Sequence, residues 1–176
     1  MTIYLKRLSS GFNQEPRYVP PPDHEDMWKV YTVCTSSDAR TCTTRSDIAA
    51  LAHPHKADVR DTLFKFHVRT HTGQEIKELF SKKGQCHPGH RYTDTKGQEV
   101  IIWRLWLKGK VRVYFIYLES VNKPTHPSYL IHHKEIATIH SCVKAKDDLD
   151  DGEKAHLKHL AENVLKCYNA NKQIYL

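Results

Sequence analysis

Residues 100–118, VIIWRLWLKGKVRVYFIYL, constrain the fold more than any other stretch of this chain. Two blocks of β-branched and aromatic residues, 100–107 and 111–118, are separated only by Lys108, Gly109 and Lys110. Such blocks favour strands, and so short a connection joins antiparallel neighbours in a hairpin. Side chains alternate across a strand. Ile101, Trp103, Leu105 and Leu107 therefore share one face of the first strand, with Arg104 and Trp106 opposite. In the second, Val111, Val113, Phe115 and Tyr117 share a face, with Arg112, Tyr114 and Ile116 opposite. A later strand at 136–143 repeats the pattern: Ala137, Ile139, Ser141 and Val143 on one side, His140 and Cys142 on the other, in phase with Lys144.

The rest of the chain supplies helices. WKVYTVCT (28–35) reads as a strand. Residues 43–52 have helical spacing at Ile48, Leu51 and Ala52, with a Thr or Ser available as cap, and Pro54 interrupts the pattern. Residues 55–69 place Val59, Leu63 and Phe66 at i, i+4, i+7, an amphipathic helix. TGQE (72–75) has capping-box spacing before Ile76, Leu79 and Phe80. In 150–168 the residues Leu157, Leu160, Ala161, Val164, Leu165 and Tyr168 form one stripe, with Asp150 or Asp151 as cap and Glu153 in the first turn. Pro16 and Pro20 to Pro22 mark residues 1–27 as an extended, Pro-rich N-terminal arm or linker, with 2–8 a short strand or arm. The expected architecture is α+β: a small, twisted, mostly antiparallel sheet in 28–176, with helices packed on one face. The opposite face would then collect Arg104, Arg112, Tyr114, His140 and Lys144.

Composition narrows the chemistry. Lys and Arg number 27 against 20 Asp and Glu, giving +7 with the 13 histidines neutral. That balance favours polyanionic partners. Cations interleaved with aromatics suit RNA, whose phosphates attract Arg and Lys and whose unpaired bases stack on flat side chains. There is no apolar run of membrane-spanning length and no secretory signal pattern. The five cysteines are widely spaced and form no CxxC, so reduced thiols in a cytoplasmic protein are expected. CHPGH, with Cys86, His87 and His90, is the one tight group of soft ligands. A metal site needs about four donors, so this segment reads as a His-rich turn, and no metal or cofactor is expected.

Two stretches carry a family resemblance. WRLWLKGKVRVYFIYLE resembles the strand pair ending in an Arg-x-Tyr/Phe strand of the RelE/ParE toxin superfamily, in particular its HigB-like branch. IATIHSCVKAKDDLDDGEKAHLKHLAENVL is similar to that family's last strand, Lys-containing turn and following helix. The resemblance implies a RelE-like fold and a metal-independent endoribonuclease that cuts mRNA on the ribosome by 2′-OH attack. It also implies a cognate antitoxin as partner. By position it implies Arg112 on the scissile phosphate, Arg104 as a basic residue on the preceding strand, and Lys144 and Lys146 as the basic positions after the last strand. His140 joins Arg112 and Lys144 in the catalytic set as general acid or base, because an ordinary imidazole titrates near neutral pH, and Tyr114 joins it as the residue that stacks on a base or holds the phosphate. Arg104, Lys108, Lys110 and Lys146 would bind RNA. A competing expectation comes from TTRSDIAALAHPHKADVRDTLFKF, which looks like a helix-turn-helix over 43–69. In that reading His55, Lys56, Asp58 and Arg60 would face duplex DNA, and the protein would be a regulator. A non-catalytic interaction protein is the third expectation.

Overall fold

The computed structural model describes residues 4–7, 29–34, 42–68, 80, 84–107, 110–118, 135–144, 146, 148–170 and 173–174. In chain order the elements are β1 (Tyr4–Arg7), β2 (Lys29–Cys34), α1 (Thr43–Ala50), α2 (His53–Val68), β3 (Cys86–Thr93), β4 (Glu99–Trp106), β5 (Val111–Tyr117), β6 (Glu135–Val143), α3 (Asp151–Asn169) and β7 (Gln173–Ile174). The strands form one sheet in the order β3-β4-β5-β6-β2-β1-β7. Pairing is antiparallel from β3 through β6 and between β1 and β2; β2–β6 and β1–β7 are parallel. The α+β class and the mostly antiparallel sheet are as the alternation implied.

The hairpin falls where the sequence placed it. Leu107 N–H donates to Val111 O, closing the turn, and Lys110 sits at φ 64°. That left-handed conformation is disfavoured for a residue with a Cβ. The segment CHPGHRYT, expected as a turn, is strand β3, whose register shifts between Pro88 and His90. Gly89 lies at this irregularity. A Cβ there would sit 3.0 Å from Arg104 Cβ and 3.4 Å from Tyr114 Cε1, so the glycine leaves room for the Tyr114 ring. Tyr4–Arg7 is a strand inside the sheet, while Pro16 to Pro22 and the 72–79 helix lie outside the described residues.

The helices do not share one face. Ile48 of α1, Val59 of α2 and Phe80 pack with Val30, Leu105, Val113, Phe115 and Ile136. On the other side, Leu157, Ala161, Val164 and Leu165 of α3 cover Val100, Ile102, Ile116, Ala137 and Ile139. Every residue from Val111 to Ile116 in β5 is buried. The expected one-faced architecture is corrected by Val100, Ile102 and Ile116: these break the polar character of the second face and give α3 an apolar bed. Burying each large α3 side chain contributes about 1.5–3 kcal/mol. The α3 stripe is the expected one, and Asp150 is its N-cap in a full capping box with Glu153.

A wedge separates β2 from β6. Their pairing runs only as far as Thr32 opposite Thr138, after which α1 enters the fork. Thr44 fills it. Its Oγ1 is 2.6 Å from Thr32 Oγ1 and 2.7 Å from Thr138 Oγ1, and its N–H donates to Thr32 Oγ1 at 3.1 Å. The buried hydroxyls thereby satisfy one another where a strand ladder ends.

Candidate functional site

Four strands align a row of polar side chains. His87 of β3 pairs with Arg104 of β4, Arg104 with Tyr114 of β5, and Tyr114 with His140 of β6. One step along, Trp106 pairs with Arg112 and Arg112 with Cys142. The expected group of Arg104, Arg112, Tyr114, His140 and Lys144 is thus brought onto one end of the sheet.

A bulge produces part of this alignment. Tyr114 pairs with His140, but the next residue, Phe115, pairs with Thr138, so Ile139 is the extra residue. At a bulge two successive residues oppose one, and strict alternation fails. Ala137 and Ile139, expected on the face opposite His140, belong to the α3 side together with Tyr114. His140 reaches that side too: its ring stacks on Tyr114 (centroids 6.4 Å, 10°) and meets His156 of α3 edge-on at 5.7 Å.

Burial differs from the open surface that half-wet strands suggested. Arg112 is 1% exposed and Tyr114 1%, and Arg104 is buried as well. The Arg112 guanidinium carbon lies 4.2 Å from the centre of the Trp106 ring, while Trp106 itself is 40% exposed. Arg112 therefore sits behind an aromatic plate and cannot touch a phosphate directly in this conformation; its charge acts through the ring. Trp106 was seen by alternation on the right face but was not among the expected site residues. Its exposure, unusual for a large aromatic, is visible only in the fold.

Arg104 donates to His87 Nε2 at 2.7 Å. Arginine has no acceptor, so His87 Nε2 accepts and its proton is on Nδ1, 3.1 Å from Pro88 O. Tyr114 Oη is buried and has no hydrogen-bond partner among the described residues. Burial pushes its phenol up to about 12, and the Cys142 thiol adds to this against the opposing pull of Arg104 and Arg112. Tyr114 is a neutral hydroxyl with an unused proton.

His140 has the partner that sequence reasoning missed. Asp47 of α1 places Oδ2 3.2 Å from His140 Nδ1 and accepts the Ser141 N–H at 2.7 Å. The Asp47 hydrogen bond, followed by that from Cys142, pushes the imidazole up to about 10 against the opposing effect of burial. His140 is an imidazolium at neutral pH. The two residues are 93 apart in sequence, and no local spacing relates them.

Lys144 forms an ion pair with Glu153, the residue that also closes the α3 capping box. The Lys144 hydrogen bond is the main cause holding the Glu153 carboxyl below its ordinary value. Lys110 and Lys146 are exposed beside this end of the sheet, and Lys108 lies outside the described residues. Among the described residues no group of three or more His, Cys, Asp or Glu is placed to hold a metal ion. On α2, His55, Lys56 and Asp58 are half-buried and Arg60 is exposed, while α1, the other half of the helix-turn-helix expectation, is wedged into the sheet.

No family model, curated protein or solved structure matches the chain.

Proposed function

We propose that this chain binds single-stranded RNA at the Trp106–His140–Lys144 end of its sheet and cleaves it by metal-independent transesterification, as a toxin-like endoribonuclease. The observation that carries the reading is the exposed Trp106 ring backed by the buried Arg112 guanidinium, next to an imidazolium and lysines. A flat ring with a cation behind it is a stacking platform for an unpaired base. The exposed Lys110 and Lys146 supply attraction for phosphates, in keeping with the net charge of +7.

In this reading the RNA 2′-OH attacks the adjacent phosphorus, and the 5′-oxygen leaves. His140, held charged by Asp47, donates the proton that the leaving oxygen takes up. His156, exposed on α3 and packed against His140, accepts the 2′-OH proton. Tyr114, buried under the His140 ring, holds that imidazole in place by stacking, and Arg104, Arg112 and Lys144 stabilise the added negative charge electrostatically. The resemblance of 103–119 and 136–165 to the RelE/ParE superfamily supports the same chemistry, with mRNA on the ribosome as substrate and an antitoxin protein as partner.

The test is cleavage of end-labelled single-stranded RNA, free and ribosome-bound, in excess chelator. Expected products end in a 2′,3′-cyclic phosphate, and a 2′-deoxy substitution at the scissile position blocks cutting. Trp106→Ala, an exposed change, should weaken RNA binding about tenfold, the loss of one base stack. Absence of cleavage and of binding on both substrates would sink the proposal. Binding of duplex DNA that depends on Lys56 and Arg60 would favour a regulator instead.

A further inference from the structure

We propose that Cys34 and Cys42 are a redox-active pair that closes into a disulfide, tying α1 to β2. The two are partners in an isolated antiparallel β-bridge, outside any longer ladder. Both are buried, and together they form a hydrophobic cluster of their own. Both carry thiols in this structure.

Geometry makes the pair competent. Directly opposed residues of antiparallel strands have Cα atoms about 4.5 or 5.5 Å apart and side chains on the same face. Both spacings fall within the roughly 4.4–6.8 Å range that a disulfide spans. Cys42 has strand-like backbone angles, φ −130° and ψ 147°, so its side chain is carried as in a true strand pair. The segment is also held in place without the bond. Thr43 Oγ1 donates to Val33 O at 3.3 Å and Thr44 N–H to Thr32 Oγ1 at 3.1 Å.

The pair lies in the fork between β2 and β6. Cys34 pairs with Tyr4 of β1 on one side and with Cys42 on the other, where β6 no longer runs. The bond would close a ring over residues 34–42 and fix the start of α1. That helix carries Asp47 to His140. Oxidation therefore acts on the helix that orients the imidazolium, whether or not the protein cleaves RNA.

The chemistry balances with glutathione disulfide as oxidant. The Cys42 thiolate, the more accessible of the two at 6% exposure against 0% for Cys34, attacks one glutathione sulfur and expels glutathione thiolate. The Cys34 thiolate then attacks Cys42 Sγ in the mixed disulfide and expels the second glutathione. Two protein thiols and one glutathione disulfide become one protein disulfide and two glutathione thiols.

Trypsin separates the two cysteines, since Arg40 lies between them: Cys34 falls in peptide 30–40 and Cys42 in peptide 41–45. The folded protein is incubated with glutathione disulfide, blocked with N-ethylmaleimide under denaturing conditions, digested and weighed by mass spectrometry. The expected result is the two peptides joined, unblocked at both cysteines, and separated again by dithiothreitol. The oxidised protein should also melt about 5 °C higher, the effect of closing a short ring without native strain. Peptides recovered separately with both thiols blocked, a persistent glutathione adduct on Cys42, or linkage of either cysteine to Cys86, Cys142 or Cys167 would each overturn the proposal. So would an oxidised form that melts at or below the reduced one.

Discussion

Replacing Asp47 with Asn isolates one interaction. Asparagine keeps a carbonyl oxygen that can accept the Ser141 N–H, so the change removes charge rather than shape. What is lost is the carboxylate that holds His140 as a cation. Raising an imidazole from 6.5 to about 10 corresponds to a ceiling of about 5 kcal/mol. The pair is not sealed from water, since the His140 side chain is 29% exposed and that of Asp47 15%. Solvent and salt screening reduce the expected contribution to about 2 kcal/mol. Its sign with pH follows from the folded value lying above the unfolded one. The stabilisation is complete below 6.5 and is lost as pH rises toward about 10. Cys142 on β6, Tyr114 on β5, and His156 and Glu153 on α3 face the same imidazole and remain in both proteins. Denaturant unfolding should therefore find Asp47→Asn weaker by about 2 kcal/mol near pH 6, with the two proteins converging near pH 10. NMR titration should show His140 at about 10 in the wild type and lower in the variant, where the Cys142 hydrogen bond alone opposes burial. Equal destabilisation at both pH values, or a wild-type His140 that titrates near 6.5, would refute the charge-pair account.

Two further outcomes follow from the same geometry. Tyr114→Phe removes a buried hydroxyl that lacks a partner among the described residues, so urea denaturation should find stability unchanged or raised by up to about 1 kcal/mol; RNA cleavage should persist, since phenylalanine keeps the ring that stacks on His140, and a large loss would place the hydroxyl in the chemistry. Lys110→Gly relieves a left-handed backbone at φ 64° and should stabilise the hairpin by about 1 kcal/mol, measured by the same denaturation; a loss instead would mean that the lysine side chain contributes more than its backbone costs.

Much of the fold was legible because its signals are local. The β4–β5 hairpin lies within a residue of its expected bounds, since alternation and a short connector are read over a few residues. Helix α3 matches in extent, stripe and cap because Asp150, Glu153 and the apolar spacing all lie within its own turns. Pro54, read as an interruption, stands in the first turn of α2, where a missing N–H costs little. Strand β3 was missed because Pro88 and Gly89 are turn formers by themselves. At the sheet's edge, beside β4, a bulge accommodates both.

The sequence by itself determined which residues alternate, which helix has an apolar stripe, and that Arg104, Arg112 and Tyr114 share a face. Only the tertiary structure decided what that face meets. Alternation states a direction for each side chain, while burial depends on what packs across the sheet. Helix α3 covers the Ile102–Ile116–Ile139 half with Tyr114 in the same cluster, while Arg112 is buried behind Trp106, which stays at the surface. The bulge at Ile139 and the Asp47–His140 contact belong to the same class. Each joins residues far apart in the chain, whose meeting is set by the pairing of strands and the wedge of α1 between β2 and β6.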